Sequence, residues 1–306
     1  MLDSMGFVKR LSQFLKRNKG RVFREAVDQI AVRAWVDLKL WVLFDSFLSK
    51  REPRTWVFMG GCYNSGTTIL REIIGSHPEI AALPREGVEM TDAFPNLEAD
   101  GWVRMWFKNS DKLDAMAENA TAIADRAMRH WSLWWENDAD VFLEKSIVHG
   151  AWMPGLQTGF RNARFIGVIR NGYCACEGIR RRAQPTDGAL KSVGSRMYPL
   201  DMVGKQWFFA NEVLERDKAL VSHYHEVRYE DFTKDPLGSV KQIFRFIGVD
   251  DSLVEFVDDE SIRVNNRTFN ICDQNCASLD RLSEYEKQTL WKTIKPIMLS
   301  LGYPKE

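Results

Sequence analysis

Two kinds of segment alternate along the chain. Short strand-like runs occur at Thr55–Phe58, Ile80–Leu83, Val141–Leu143, Arg164–Ile169 and Glu226–Tyr229. The run Arg-Phe-Ile-Gly-Val-Ile is nearly continuous in apolar residues, as in strands buried on both faces of a parallel sheet. Between these runs lie stretches with helical spacing. One helix starts at Thr67-Thr68, and another is marked by Leu113, Met116, Ala120, Ile123 and Met128. A third runs from Trp152 to Phe160 with Pro154 in its first turn, and a fourth follows Gly172 and ends in the basic run Arg180-Arg181-Arg182. Further helices span roughly Leu200–Lys218 and Pro236–Ile247, and Ser283-Glu284 opens a last one reaching Leu301. The polar, glycine-containing stretch Gln184–Ser195 reads as a mobile loop, and residues 261–280 as another loop. Strands alternating with helices predict an α/β fold: a parallel sheet flanked by helices and joined by right-handed crossovers.

The chain has 306 residues, enough for one large α/β domain with its own core. Its formal net charge is zero, which argues against a nucleic-acid partner. Charge is uneven, because residues 1–54 hold twelve Lys or Arg against six Asp or Glu. Apolar positions there recur at helical spacing among the basic ones, as at Phe7, Leu11, Phe14 and Leu15. This segment reads as basic and amphipathic, suited to peripheral membrane contact or to packing on a protein surface, ahead of a catalytic domain over 55–306. No uncharged apolar run reaches spanning length, since Ala31–Leu48 is broken by Arg33, Asp37, Lys39 and Asp45. No signal peptide is evident. The five cysteines show no zinc spacing and read as reduced thiols, so a cytoplasmic setting is expected, with membrane association through residues 1–54. Oligomeric state is not readable.

Candidate chemistry concentrates after the first strand. The turn Gly60-Gly61-Cys62-Tyr63-Asn64-Ser65-Gly66 runs directly into the helix at Thr67-Thr68. Strand, glycine turn and helix N-terminus together bind anions, because the loop amides point inward and the helix dipole adds positive charge. Gly61 and Gly66 have the spacing of a nucleotide-triphosphate P-loop. The lysine that such a loop places on the β- and γ-phosphates is replaced by Thr67. That substitution points to an anion of the same shape but different chemistry.

Asn64-Ser65-Gly66-Thr67-Thr68, with Arg71 three residues on and then His77-Pro78, resembles the 5′-phosphosulfate loop of the sulfotransferases that use 3′-phosphoadenosine 5′-phosphosulfate (PAPS). Members usually carry Lys or Arg where this chain has Asn64; an amide donates a hydrogen bond but no charge, so another cation is required. The strand ending in Arg170-Asn171-Gly172 is similar to the family's 3′-phosphate motif. The planar fork of Arg170 suits that phosphate. The serine usual eight residues later is Gly178 here. Glu144-Lys145-Ser146 resembles a strand-end motif of sugar and tyrosine sulfotransferases, which implies that Lys145 lies near the bridging oxygen of the phosphosulfate. Arg228-Tyr229-Glu230-Asp231-Phe232 and the ending Leu301-Gly302-Tyr303 also match, giving Tyr229 an adenine-side role. The motifs cover roughly residues 55–303.

The acceptor hydroxyl must lose a proton. Glu86, just beyond the second strand, is the first candidate for general base, with Glu89 and His149 as alternatives. The resemblance therefore implies in-line transfer of a sulfuryl group from PAPS to a hydroxyl acceptor, which is a small molecule, glycan, lipid or phenol, with no metal. Two other readings carry sequence support: a P-loop kinase or nucleotide hydrolase, and a noncatalytic membrane-docked scaffold with a degenerate nucleotide fold.

Overall fold

The computed structural model describes residues 38–39, 48–135, 139–258 and 260–306. Apart from residues 38, 39 and 48–54, the segment assigned to positions 1–54 lies outside the described residues. Among the described residues no helix is long and apolar enough to cross a membrane.

Strand β1 (Thr55–Gly61) is buried along its whole length. Its side chains alternate between faces, as the two-residue strand period requires. Trp56 and Phe58 enter one core, Val57 and Met59 the other. The glycine turn follows, then α1 (Thr67–Ile74) and β2 (Ile80–Ala82). Next come α2 (Asp114–Glu118), α3 (Ala120–Trp131), β3 (Val141–Lys145), α4 (Met153–Gly159) and β4 (Ala163–Ile169). The chain continues through α5 (Gly172–Arg182), α6 (Asp187–Val193), α7 (Leu200–Asp217) and β5 (Tyr224–Arg228). Helices α8 (Tyr229–Lys234) and α9 (Pro236–Ile247) lead to β6 (Val254–Asp258), β7 (Ser261–Val264) and β8 (Arg267–Asn270). Helices α10 (Asn275–Leu279) and α11 (Glu284–Ser300) end the ordered elements.

Strands β1 to β5 form one parallel sheet in the order β2-β3-β1-β4-β5. One face packs an aromatic core, including Trp56, Phe142 and Phe165, under α3, α4, α5, α7 and α11. Trp56 meets Trp135 edge-on at 4.9 Å between centroids, and Trp135 stacks on Phe142 at 4.0 Å, geometries that ring quadrupoles favour. The other face is aliphatic, with Val57, Leu143 and Val168 covered by α1, α9 and the small sheet β6-β7-β8. The predicted parallel α/β sheet between helical layers is observed.

Two segments differ from expectation. Within Gln184–Ser195, α6 forms although only Ala189 is buried; Gly194 ends it in the left-handed conformation that glycine takes at helix ends (φ 67°). Within residues 261–280, β7 and β8 form an antiparallel hairpin, followed by α10. Its buried residues Ile262, Val264 and Phe269 alternate with exposed Arg and Thr, and the short strands hid that alternation among polar neighbours.

Candidate active site

Every strand of the parallel sheet delivers a candidate residue at its carboxyl end, where open α/β sheets bind ligands. The glycine loop leaves β1, Glu86 follows β2, Lys145 ends β3, Arg170 follows β4 and Tyr229 follows β5. They surround one cleft of about 550 Å³, lined by Asn64, Gly66, Thr67, Thr68, Glu86, Lys145, Arg170, Gly178 and Tyr229. Ser65 lies fully buried behind this lining.

The loop geometry explains its residues. Asn64 (φ 61°) and Gly66 (φ 93°) are both left-handed, a conformation open to glycine and tolerated by asparagine. A Cβ on Gly66 would lie 2.7 Å from the Tyr229 ring, so glycine also lets the ring close over the loop. Helix α1 starts without a side-chain cap, and its first internal bond is Leu70 N–H to the Gly66 carbonyl at 3.2 Å. Its first-turn amides therefore have no helical acceptor. Arg71 points away, donating to the Leu83 carbonyl at 2.8 Å and so tying α1 to the end of β2. His77 is structural: it bridges to the Asp250 carbonyl at 3.0 Å and packs against Phe244.

Arg170 is held from two sides. Nε donates to Asn275 Oδ1 at 2.8 Å and Nη1 to the Asn64 carbonyl at 2.7 Å, while Nη2 is buried without a partner. Its guanidinium stands 4.1 Å over the Tyr229 ring. The Tyr229 hydroxyl donates to the Cys272 carbonyl and accepts from Gln274 N–H. Glu230 supports this wall from behind, accepting from Asn171 N–H (3.0 Å), Asn275 Nδ2 (2.8 Å) and the Tyr303 hydroxyl (2.7 Å).

On the opposite side Lys145 donates to Glu86 Oε1, and Glu86 Oε2 accepts the Ile147 amide at 3.4 Å. The residues flanking Lys145 hold the Glu86 loop in place. Glu144 accepts Gly87 N–H at 2.5 Å and Ser146 Oγ accepts Val88 N–H at 3.2 Å. Lys145 is 8% exposed and Glu86 28%, so the pair faces the cleft from a largely buried position. The alternative bases lie elsewhere. Glu89 pairs with Arg85 at 2.7 Å, and burial raises its carboxyl above the usual range. His149 is fully buried beside Glu144, among Phe58, Phe94 and Trp152.

The chain is neutral overall, yet the cleft is basic. Arg104, Lys145, Arg170, Arg181, Arg182 and Arg281 face three carboxylates, Glu72, Glu86 and Glu177. Burial, and then the neighbouring charges of Arg181 and Arg104, hold Arg182 below the usual arginine range. Such crowding of cations favours an anionic ligand. Three donors around the cleft, Asn64 Nδ2, Ser65 Oγ and Arg170 Nη2, are buried without partners. Buried donors of this kind are rare except where a ligand or water completes them. Among the described residues no cluster of His, Cys, Asp or Glu is placed to hold a metal ion.

A family model described as the sulfotransferase family matches residues 57–252, which span the glycine loop, Lys145, Arg170 and Tyr229. The chain belongs to the sulfotransferase family. A putative protein-tyrosine sulfotransferase of Caenorhabditis briggsae is 28% identical over 146 residues, 46% of this sulfotransferase and 49% of the relative. The chain thus spans about half the length of the curated relative it matches. A sulfotransferase from Alicyclobacillus acidocaldarius shares the fold at a TM-score of 0.50 and 14% identity, covering 84% of this chain and 98% of its own. The sulfotransferase STF1 of Mycobacterium tuberculosis H37Rv aligns at 0.49 and 18%, covering 85% and 81%.

Four cleft features of this sulfotransferase had no clear motif in the sequence: Arg104, Arg281, Gln274 and the arginine-fixing Asn275. Arg181 and Arg182 of the basic run were visible as charge, but not as cleft wall.

Proposed function

We propose that this sulfotransferase uses PAPS and delivers its sulfuryl group to a hydroxyl acceptor, with residues 55–306 as the catalytic unit. The observation that carries the reading is Arg170: two of its nitrogens are fixed, and the third is buried, unpaired and at the cleft. That is the arrangement a 3′-phosphate needs, since a preset planar fork gives a short charge-assisted bond. Asn64, Ser65, Thr67 and Thr68 would hold the 5′-phosphosulfate with side-chain donors and the amides of α1. Tyr229 would flank the adenosine side. PAPS when bound supplies an activated sulfuryl group, which passes to the acceptor oxygen and leaves adenosine 3′,5′-bisphosphate.

The chain's own residues do the rest. Glu86 takes the acceptor's proton, and the Lys145 contact keeps its carboxylate oriented into the cleft. Lys145 supplies positive charge where the leaving phosphate gains negative charge, an effect larger in the transition state than in the ground state. The acceptor is a hydroxyl-bearing small molecule, glycan, lipid or phenol. The relative named above directs an acceptor screen first to tyrosine-bearing peptides.

Ligand-dependent melting tests the reading. At about 100 times its dissociation constant, adenosine 3′,5′-bisphosphate stabilises the native state by about 2.7 kcal/mol, raising Tm by roughly 5 °C. ATP with Mg²⁺, lacking a 3′-phosphate, raises it much less. Equal or greater stabilisation by ATP-Mg²⁺ favours the kinase reading, in spite of Thr67.

Arg170→Ala separates the two anions. Affinity for adenosine 3′,5′-bisphosphate falls by about 1.5–3 kcal/mol, the scale of a hydrogen bond to a charged group. Adenosine 5′-phosphosulfate, which has no 3′-phosphate, loses less. It still loses some, because Nη1 also holds the Asn64 carbonyl of the loop. Calorimetry on both ligands decides this; equal losses would mean that Arg170 acts through the loop alone.

A further inference from the structure

Position 64 poses an electrostatic problem, since a neutral amide occupies the place where the resembling loops carry a cation. The side chains around Asn64 answer it. Asn64 Oδ1 receives Nη1 of Arg104 and Nη1 of Arg182, each at 3.2 Å. Guanidinium nitrogens only donate, so the carboxamide oxygen must face them and the NH₂ group must face the other way. That nitrogen is buried and has no partner, and Asn64 lines the cleft. The amide thus takes a pair of cations on its oxygen and lays its nitrogen against Gly178, in the wall of the cleft. A cation on the carbonyl oxygen draws electrons through the amide and makes its N–H groups stronger donors.

Arg104 is built into this position at a cost. Its backbone is left-handed (φ 57°), uncommon for a long side chain and a conformation that accumulates at functional sites. Beside Arg104, Glu98 accepts at 2.5 Å the hydroxyl of Tyr63, the residue just before Asn64. The Arg104 guanidinium lies 5.8 Å over the Tyr63 ring. Gly178 completes the arrangement, because a Cβ there would come within 2.9 Å of both Cβ and Cγ of Asn64. The two departures from the family pattern are therefore one feature: the missing side chain at 178 makes room for the carboxamide at 64.

We propose that Arg104 is an anion-binding residue of this sulfotransferase, supplying through the Asn64 carboxamide the positive charge that its phosphosulfate loop lacks. This rests on the PAPS reading given above. The test is calorimetric affinity for adenosine 3′,5′-bisphosphate in a double-mutant cycle of Arg104→Gln and Asn64→Ala, with Arg104→Lys as the conservative control. Arg104→Gln is expected to weaken binding about tenfold, the scale of one partly screened charge, and to reduce its salt dependence. Arg104→Lys keeps the charge and recovers most of the affinity. In the Asn64→Ala background Arg104→Gln has little further effect, because the connecting amide is gone. Gly178→Ala offers an independent route should an arginine variant fold poorly: it displaces the carboxamide without touching either arginine, and is expected to match Asn64→Ala. Wild-type affinity in Arg104→Gln or in Gly178→Ala overturns the proposal, as do losses that simply multiply in the cycle. A wild-type protein that does not bind the bisphosphate overturns the PAPS reading, and this proposal with it.

Discussion

Replacing Lys145 with alanine lowers turnover by about a hundred- to a thousandfold, the cost of removing one preorganised donor to developing charge. Affinity for adenosine 3′,5′-bisphosphate falls far less. The lysine acts on charge that grows as the S–O bond breaks, and the ground state exhibits little of it. Its position confines the change to Lys145 and its contact with Glu86. Lys145 ends β3, and the neighbours that hold the adjoining loop are Glu144 and Ser146, both untouched by the change. Glu86 loses its cationic partner and keeps the weaker Ile147 amide. Single-turnover rates and calorimetry on one variant give the split. Equal losses in rate and in product affinity would make Lys145 a uniform binding group instead.

Glu86→Gln lowers turnover by about a hundred- to ten-thousandfold with aliphatic hydroxyls, the range for loss of a positioned general base. With acidic phenols the loss is smaller, since they surrender a proton without help. Turnover across acceptors of graded acidity measures this. A constant factor would remove Glu86 as the base. Neither alternative sits as well: Glu89 is held by Arg85 outside the cleft lining, and His149 is sealed off from the cleft among aromatic rings of the core.

What could be read in advance divides along a physical line. Strand β1 and its loop were legible because an anion-binding turn needs consecutive residues: glycine where φ is positive, and a helix immediately after. Lys145 and Arg170 were legible because each stands at or just past the end of an apolar strand, whereas Tyr229 follows the mixed run Tyr-His-Glu-Val-Arg and was legible only through the family resemblance of its surrounding motif. The hairpin β7-β8 was not, since each strand has only about two turns of the pleat in which to show its alternation, and Asn265 and Asn266 between them look like loop. Helix α6 buries little and so leaves almost no apolar stripe. Arg104 was out of reach for another reason. It meets Asn64 only through tertiary folding, and nothing in its own neighbourhood announces the contact.

The wall that fixes Arg170 draws on residues far apart in the chain: Asn275 grips the guanidinium, and Tyr303 secures the Glu230 that steadies Asn275. A nascent chain therefore exposes its glycine loop long before the last of these supports leaves the ribosome. At about 5–20 residues per second, the delay is on the order of ten seconds or more. On the PAPS reading, nucleotide met in that interval finds the glycine loop without the Asn275 contact that fixes Arg170, and its stabilising effect begins only once that contact has formed.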